Sequence, residues 1–156
     1  MSGAEIEARL SAQGYRLPEA IAPAYQYVAV VVHNDVGYLS GQIPRAGSQV
    51  LMAGKLGGEV TLEQGQRAAE ACVLQGLAQL KAELGDLGRV ARIIKVTGFV
   101  ASAAGFNQQP QVIDAASNLL ALAFADAGRH ARSAVGVAEL PRNVPVEIEM
   151  IVAVRG

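Results

Sequence analysis

Residues 61–85 constrain the fold of this chain more than any other segment. Thr61 and Gln64 have the T-x-x-Q spacing of a capping box, which marks the start of a helix. The apolar residues that follow recur at spacings of three and four and so share one helix face: Ala69, Cys72, Val73, Leu77, Leu80 and Leu84. Gly85 is placed to end this helix after roughly six turns. Because such a stripe has to be buried, the rest of the chain must supply an apolar surface for it.

A second apolar stripe predicts another long helix within residues 110–128. Pro110 suits its first turn. The stripe consists of Val112, Ala116, Leu119, Leu120 and Ala123. A short helix is also indicated over residues 2–14, because Ser2 and Glu5 have capping-box spacing.

The remaining segments predict strands. Two runs rich in β-branched residues flank His33-Asn34-Asp35 and indicate a hairpin. Further strands are expected at residues 91–102, 131–139 and 145–154. The glycine-rich residues 44–60 indicate a loop with a short strand at residues 50–52. The order α-β-β-α-β-α-β-β predicts one α+β domain, whose sheet carries both long helices on one face.

Composition excludes several classes of protein. Hydrophobic residues make up 51% of the 156-residue chain and charged residues 17%, which is typical of a globular domain. A net charge of −1 does not indicate a general phosphate-binding surface. The N-terminus lacks an apolar secretory core, and the aliphatic run at residues 28–32 is far too short to span a membrane. We therefore expect a cytoplasmic protein.

Cysteine and histidine usage does not indicate a metal site. Cys72 is the only cysteine, which excludes an intrachain disulfide and a cysteine metal cluster. Its place in the apolar stripe predicts a buried small hydrophobe rather than a nucleophile. His33 and His130 are far apart in the sequence and have no partner at ligand spacing, so we expect no metal ligands.

The last two strands carry the residues with the most chemical interest. Alternation places Arg132, Ala134 and Gly136 on one face of the first strand. If these strands form an antiparallel hairpin, Arg132 can meet Glu147 and Glu149 on one sheet face. One interpretation is a solvated cross-strand ion pair, worth well under about 1 kcal/mol. The other is a carboxylate-binding arginine beside an acid/base glutamate, with room for a ligand beside the small residues.

Two stretches resemble a known family. "YLSGQIP" at residues 38–44 and "ARSAVGVAELPRNVPVEIEMIVAV" at residues 131–154 are similar to the reactive intermediate/imine deaminase family, called RidA or YjgF-like and formerly L-PSP endoribonuclease. The resemblance covers about residues 22–156 and leaves residues 1–21 as an N-terminal helical extension. It implies a chorismate-mutase-like α+β fold. It also implies a homotrimer with ligand clefts between subunits, which would bury the uncovered face of the sheet.

The resemblance also implies the residues of the site. The arginine of A-R-S, which binds the substrate carboxylate, falls on Arg132, and the first glutamate of V-E-I-E, which positions the hydrolytic water, falls on Glu147. The residues that line the cleft fall on Tyr27, Ser40 and Gly41. The implied reaction needs no cofactor. It hydrolyses an enamine or imine, such as 2-aminoacrylate, to a 2-keto acid and ammonia.

Two positions of the site depart from the family pattern. The deaminase archetype has cysteine two residues after the arginine, where this chain has Ala134. Asp114 replaces the asparagine early in the second long helix, and its charge would not favour an anionic ligand. We expect an imine or enamine deaminase whose partner is a small carboxylate-bearing metabolite. Two alternatives are a non-catalytic metabolite-binding or regulatory protein on the same scaffold, and an RNA-cleaving protein. The near-neutral charge and 4% aromatic content argue against RNA.

Overall fold

The computed structural model describes all residues from 1 to 156. The helices are α1 (Gly3–Ser11), α2 (Leu62–Leu84) and α3 (Gln109–Phe124), with 3-10 turns at Leu87–Arg89, Ala125–Gly128 and Pro141–Asn143. The strands are β1 (Val30–His33), β2 (Val36–Gln42), β3 (Arg45–Ala46), β4 (Gln49–Val50), β5 (Val90–Ala101), β6 (Ala131–Val137) and β7 (Val146–Val154). The predicted order of long elements is confirmed. The segment expected to be a loop with one short strand instead holds the small β3–β4 hairpin.

Five strands form one mixed sheet in the order β1-β2-β7-β5-β6. The predicted β1–β2 hairpin is confirmed, and both residues of its turn, Asn34 and Asp35, have left-handed backbones with φ of 50° and 60°. A two-residue turn with both backbones in the left-handed region has a twist that matches the twist of the two strands. Strand β7 pairs antiparallel with β2 and with β5, whereas β6 runs parallel to β5 at the sheet edge.

The expected contact of Arg132 with the β7 glutamates depended on an antiparallel hairpin of β6 and β7. This pairing is wrong, because β5 lies between the two strands. Helix α3 connects β5 to β6 and packs on both strands. A helical crossover of this kind returns the chain in the same direction, so the two strands that it joins are parallel. The consequence for the site is large: Arg132 and Glu147 are not neighbours across a strand pair.

Both long helices pack on one face of the sheet, as predicted. Every residue of the two predicted helical stripes is buried in a single core with the alternate residues of β7. Helix α1 packs on α3 and adds Ile6 and Leu10 to the same core, each 1% exposed. The capping boxes predicted for α1 and α2 both form. The sheet's other face exposes Val31, Tyr38 and Val135, which are 51%, 48% and 44% accessible.

Candidate functional site

Glu147 lies near the start of β7, where it lines an open cavity of about 620 Å³. Alternation along β7 buries Val146 and Ile148 under the helices and leaves Glu147 on the opposite side of the strand. The cavity walls come from the chain before β1, from the end of β2, from the β3–β4 hairpin and from the turn before β7. Tyr27 and Gly41 line the same cavity.

A β-bulge brings the Glu147 carboxylate against the backbone of β2. The register of β2 on β7 shifts between Leu39 and Gln42, so that Ser40 and Gly41 lie in the irregular part of the strand. A Cβ atom placed on Gly41 would lie 2.5 Å from Oε2 of Glu147. Any larger side chain at Gly41 would therefore displace the carboxylate.

Ser40 ties the bulge to the segment that carries Tyr27. Its Oγ donates a hydrogen bond to the carbonyl oxygen of Val28 at 2.8 Å. Its backbone N–H donates to the carbonyl oxygen of Ala29, also at 2.8 Å. These bonds hold the chain before β1 along β2, and Tyr27 reaches the cavity from there with about half of its surface exposed.

Glu147 differs from an ordinary surface glutamate in its electrostatic environment. Burial raises the pKa of the half-buried Glu147 above its ordinary value, and the negative charge of Glu149 raises it further. Arg45 and Arg142 line the same cavity, yet neither forms an ion pair. Glu147 is therefore a carboxyl group that can hold a proton closer to neutral pH than an ordinary glutamate.

Arg132 lies elsewhere, on the helix-facing side of the edge strand β6. Its Nη1 donates to Oδ1 of Asp114 at 2.9 Å and to Oγ of Ser117 at 3.1 Å. Its Nη2 donates to the carbonyl oxygen of Pro110 at 3.5 Å. The expected cross-strand pair with the β7 glutamates is thus replaced by a pair with a helix aspartate. Asp114, expected to disfavour an anionic ligand, is the ion-pair partner of Arg132.

The small residues of β6 accommodate the helix that covers them. Ala134 is partly buried against the core. A Cβ on Gly136 would lie 2.8 Å from Nε2 of Gln109 and 3.1 Å from Oγ of Ser102. The space directly beside Gly136 on this face, expected to be free for a ligand, is therefore occupied by Gln109 of α3 and by Ser102, the residue after β5.

Within one chain, the expected site residues thus lie in two separate groups. The first, which we call the glutamate cavity, holds Tyr27, Gly41 and Glu147, with Ser40 supporting it. The second, which we call the arginine edge, holds Asp114, Arg132 and Ala134. None of the five main cavities of the single chain contains both Arg132 and Glu147.

The sequence interpretation missed the two arginines of the glutamate cavity, Arg45 and Arg142. The P-R-N stretch before β7 was a possible signal for Arg142, because proline followed by asparagine is typical of a turn that can aim a side chain. Cys72 is fully buried, as predicted, and burial raises the pKa of its thiol well above the ordinary value. None of the helices is both long enough and apolar enough to cross a membrane.

Comparisons with known proteins decide the family. The family model described as "Endoribonuclease L-PSP" matches residues 17–154 of the chain. This chain belongs to the RidA/YjgF family. The resemblance inferred from the A-R-S and V-E-I-E stretches is confirmed, and so is the α+β fold that it implied.

Individual family members match almost the whole chain. The crystal structure of the Atu1372 protein of Agrobacterium tumefaciens superposes with a TM-score of 0.92 at 44% identity, covering 97% of this chain and 94% of that one. Protein TCP17 of Trypanosoma cruzi is 42% identical over 97% of this chain and 96% of its own length. The 2-iminobutanoate/2-iminopropanoate deaminase of Dermatophagoides farinae is 35% identical, covering 88% of this chain and 90% of that protein.

Proposed function

We propose that this protein hydrolyses enamines and imines derived from amino acids to 2-keto acids and ammonia. The observation that carries the proposal is Glu147, a half-buried carboxyl group with a raised pKa at the wall of an open cavity. A carboxyl group of this kind can both donate and accept protons near neutral pH. The relationship to a deaminase at 35% identity supports the choice of reaction.

The reaction can be written through Glu147 with atoms and protons balanced. The protonated carboxyl group gives its proton to the enamine carbon, which produces an iminium ion. The resulting carboxylate takes a proton from water as the water oxygen bonds to the iminium carbon. The carboxyl group then protonates the amino nitrogen. It finally accepts the hydroxyl proton as the C–N bond breaks and the C=O bond forms. One water is consumed, one ammonia leaves, and no group is oxidised or reduced.

We further propose that a neighbouring copy of the chain supplies Arg132 to this cavity. A guanidinium binds a substrate carboxylate through two parallel hydrogen bonds and would fix the reacting carbon beside Glu147. The separation of the two groups within one chain supports a site shared between subunits. The apolar residues on the uncovered sheet face, Val31, Tyr38 and Val135, support the burial of that face in a homotrimer.

Mixing two inactive variants tests the shared site. At a low concentration of enzymatically generated 2-aminoacrylate, Arg132→Ala should release little keto acid because it binds weakly, and Glu147→Gln should release little because its chemical step is slow. Unfolded and refolded together in equal amounts, they should recover about a quarter of the wild-type sites, because some sites combine an intact Arg132 with an intact Glu147 from different chains. Refolded wild type and each refolded variant alone are the controls. No recovery in the mixture, with wild type refolding to full activity, contradicts a shared site.

The same assay separates catalysis from binding alone. If wild type releases no keto acid above the spontaneous rate from any imine tested, the protein is not a deaminase. Retained affinity for a keto acid would then indicate the metabolite-binding alternative.

A further inference from the structure

We infer that the glutamate cavity selects substrates with two acid groups, and that Arg142, assisted by Arg45, binds the carboxylate of the substrate side chain. This inference rests on the proposed function, because it assigns the substrate class of the same site. It assigns one acid group to Arg132 of the neighbouring copy and the second to the arginines of the cavity itself. The preferred substrates would be imines or enamines of dicarboxylic keto acids.

The backbone at Arg142 is the first observation. Arg142 has φ 57° and ψ 22°, and the next residue, Asn143, also has a positive φ of 58°. The left-handed region is tolerable for asparagine but unfavourable for arginine. A strained conformation that persists beside a candidate site suggests that the direction of the side chain matters there.

The side chain of Arg142 is held in place without being neutralised. Its Nη2 donates to the carbonyl oxygen of Ser48 at 2.7 Å, which anchors the guanidinium to the turn of the β3–β4 hairpin. A neutral carbonyl leaves the positive charge uncompensated and leaves most of the five N–H donors of the guanidinium without a protein partner. Arg142 is therefore pre-organised to bind an anion.

Arg45 adds a second positive charge to the same cavity. Its side chain forms none of the four ion pairs of the chain, and its carbonyl oxygen accepts a hydrogen bond from Nε2 of Gln75 at 2.7 Å, which ties β3 to helix α2. The cavity thus combines two arginines with a single glutamate, whose pKa is already raised. A cavity with this balance favours a ligand that brings a negative charge of its own.

The carboxylate attached to the reacting carbon of a simple imine does not require these arginines, because Arg132 of the arginine edge supplies the guanidinium that binds it. An imine with a methyl or ethyl side chain would leave Arg45 and Arg142 facing water. A side-chain carboxylate would replace that water with charge-assisted hydrogen bonds, which are the stronger class in proteins. The arginines of the cavity are thus the structural basis for discrimination between substrates.

Calorimetry with two keto acids of equal chain length tests the inference. Wild type should bind 2-oxoglutarate roughly 10- to 100-fold more tightly than 2-oxopentanoate, the range expected for hydrogen bonds to a charged group. Arg142→Gly should abolish most of this ratio, and Arg142→Lys should restore little, because lysine lacks the planar fork. Arg16→Ala removes an arginine outside the cavity and should leave the ratio at its wild-type value.

The glycine variant also separates binding from folding. Glycine adopts the left-handed conformation freely, so Arg142→Gly relieves strain and should keep the melting temperature at or near that of wild type. Equal affinities of wild type for the two acids, or a ratio that survives Arg142→Gly, would overturn the inference, and so would the failure of both acids to bind. Turnover of 2-aminoacrylate is measured separately, so the proposed function can stand when this inference falls.

Discussion

The glutamate cavity and the arginine edge hold their charged groups in opposite ways. At the arginine edge, Arg132 is 23% exposed and bonded to an aspartate and a serine of α3, so its charge is compensated within the chain. In the glutamate cavity, Glu147 is half-buried without an ion pair, and Arg142 is held only by a backbone carbonyl.

This difference separates two roles. A desolvated carboxyl group without an ion pair can exchange protons, which suits the chemical step. A guanidinium held by an aspartate is well oriented, but it must share its donors with any ligand that arrives. We therefore expect variants of Glu147 to change the rate of reaction and variants of Arg132 to change affinity.

The largest effect is expected from Glu147→Gln. Glutamine keeps the volume and part of the hydrogen bonding but cannot exchange protons, so kcat for 2-aminoacrylate should fall by roughly two to four orders of magnitude. Affinity for a keto acid should change little. Glu149→Gln on the same strand is the matched control and should retain kcat at neutral pH. Undiminished turnover by Glu147→Gln would remove this residue from the mechanism.

An intermediate effect is expected at the arginine edge. Arg132→Ala should weaken the binding of 2-ketobutyrate by roughly 10- to 100-fold, because a charge-assisted pair of hydrogen bonds is lost. Asp114→Asn should act in the opposite direction and tighten binding by up to roughly fivefold, since it removes a partly exposed competitor for the guanidinium. Calorimetry measures both. Weaker binding in Asp114→Asn would mean that orienting Arg132 matters more than freeing it.

The smallest effect concerns the pH dependence of the reaction. With an imine substrate, which enters the reaction at the step where ionised Glu147 activates water, kcat/KM should fall as the pH drops through the pKa of this group. This acidic limb of the pH profile should lie at a higher pH than it would for an ordinary glutamate, because burial disfavours the ionised form and raises the pKa of Glu147. Glu149→Gln removes a like charge and should move the limb to lower pH. Glu139→Gln, at an exposed residue paired with Lys55, should not move it.

The helices of this protein were predictable from sequence because their signals are local. Thr61 and Gln64 form their capping box within a single helical turn, and the apolar stripe beyond them has only one face on which to be buried. The β1–β2 hairpin was predictable for the same reason, since Asn34 and Asp35 define the turn. The family signature also lies in short contiguous stretches, which is why it could be recognised directly.

The sequence by itself determined the long helices and strands, the core-facing residues of the helices and the family, because each depends on spacings within a few turns or one strand. Only the tertiary structure decided the strand order, which places β5 between β6 and β7. That order puts Arg132 with Asp114, eighteen residues away along the chain, and puts Glu147 with Gly41 and Arg142. Strand pairing depends on contacts between segments distant in sequence, and alternation within one strand cannot tell which neighbour that strand will have.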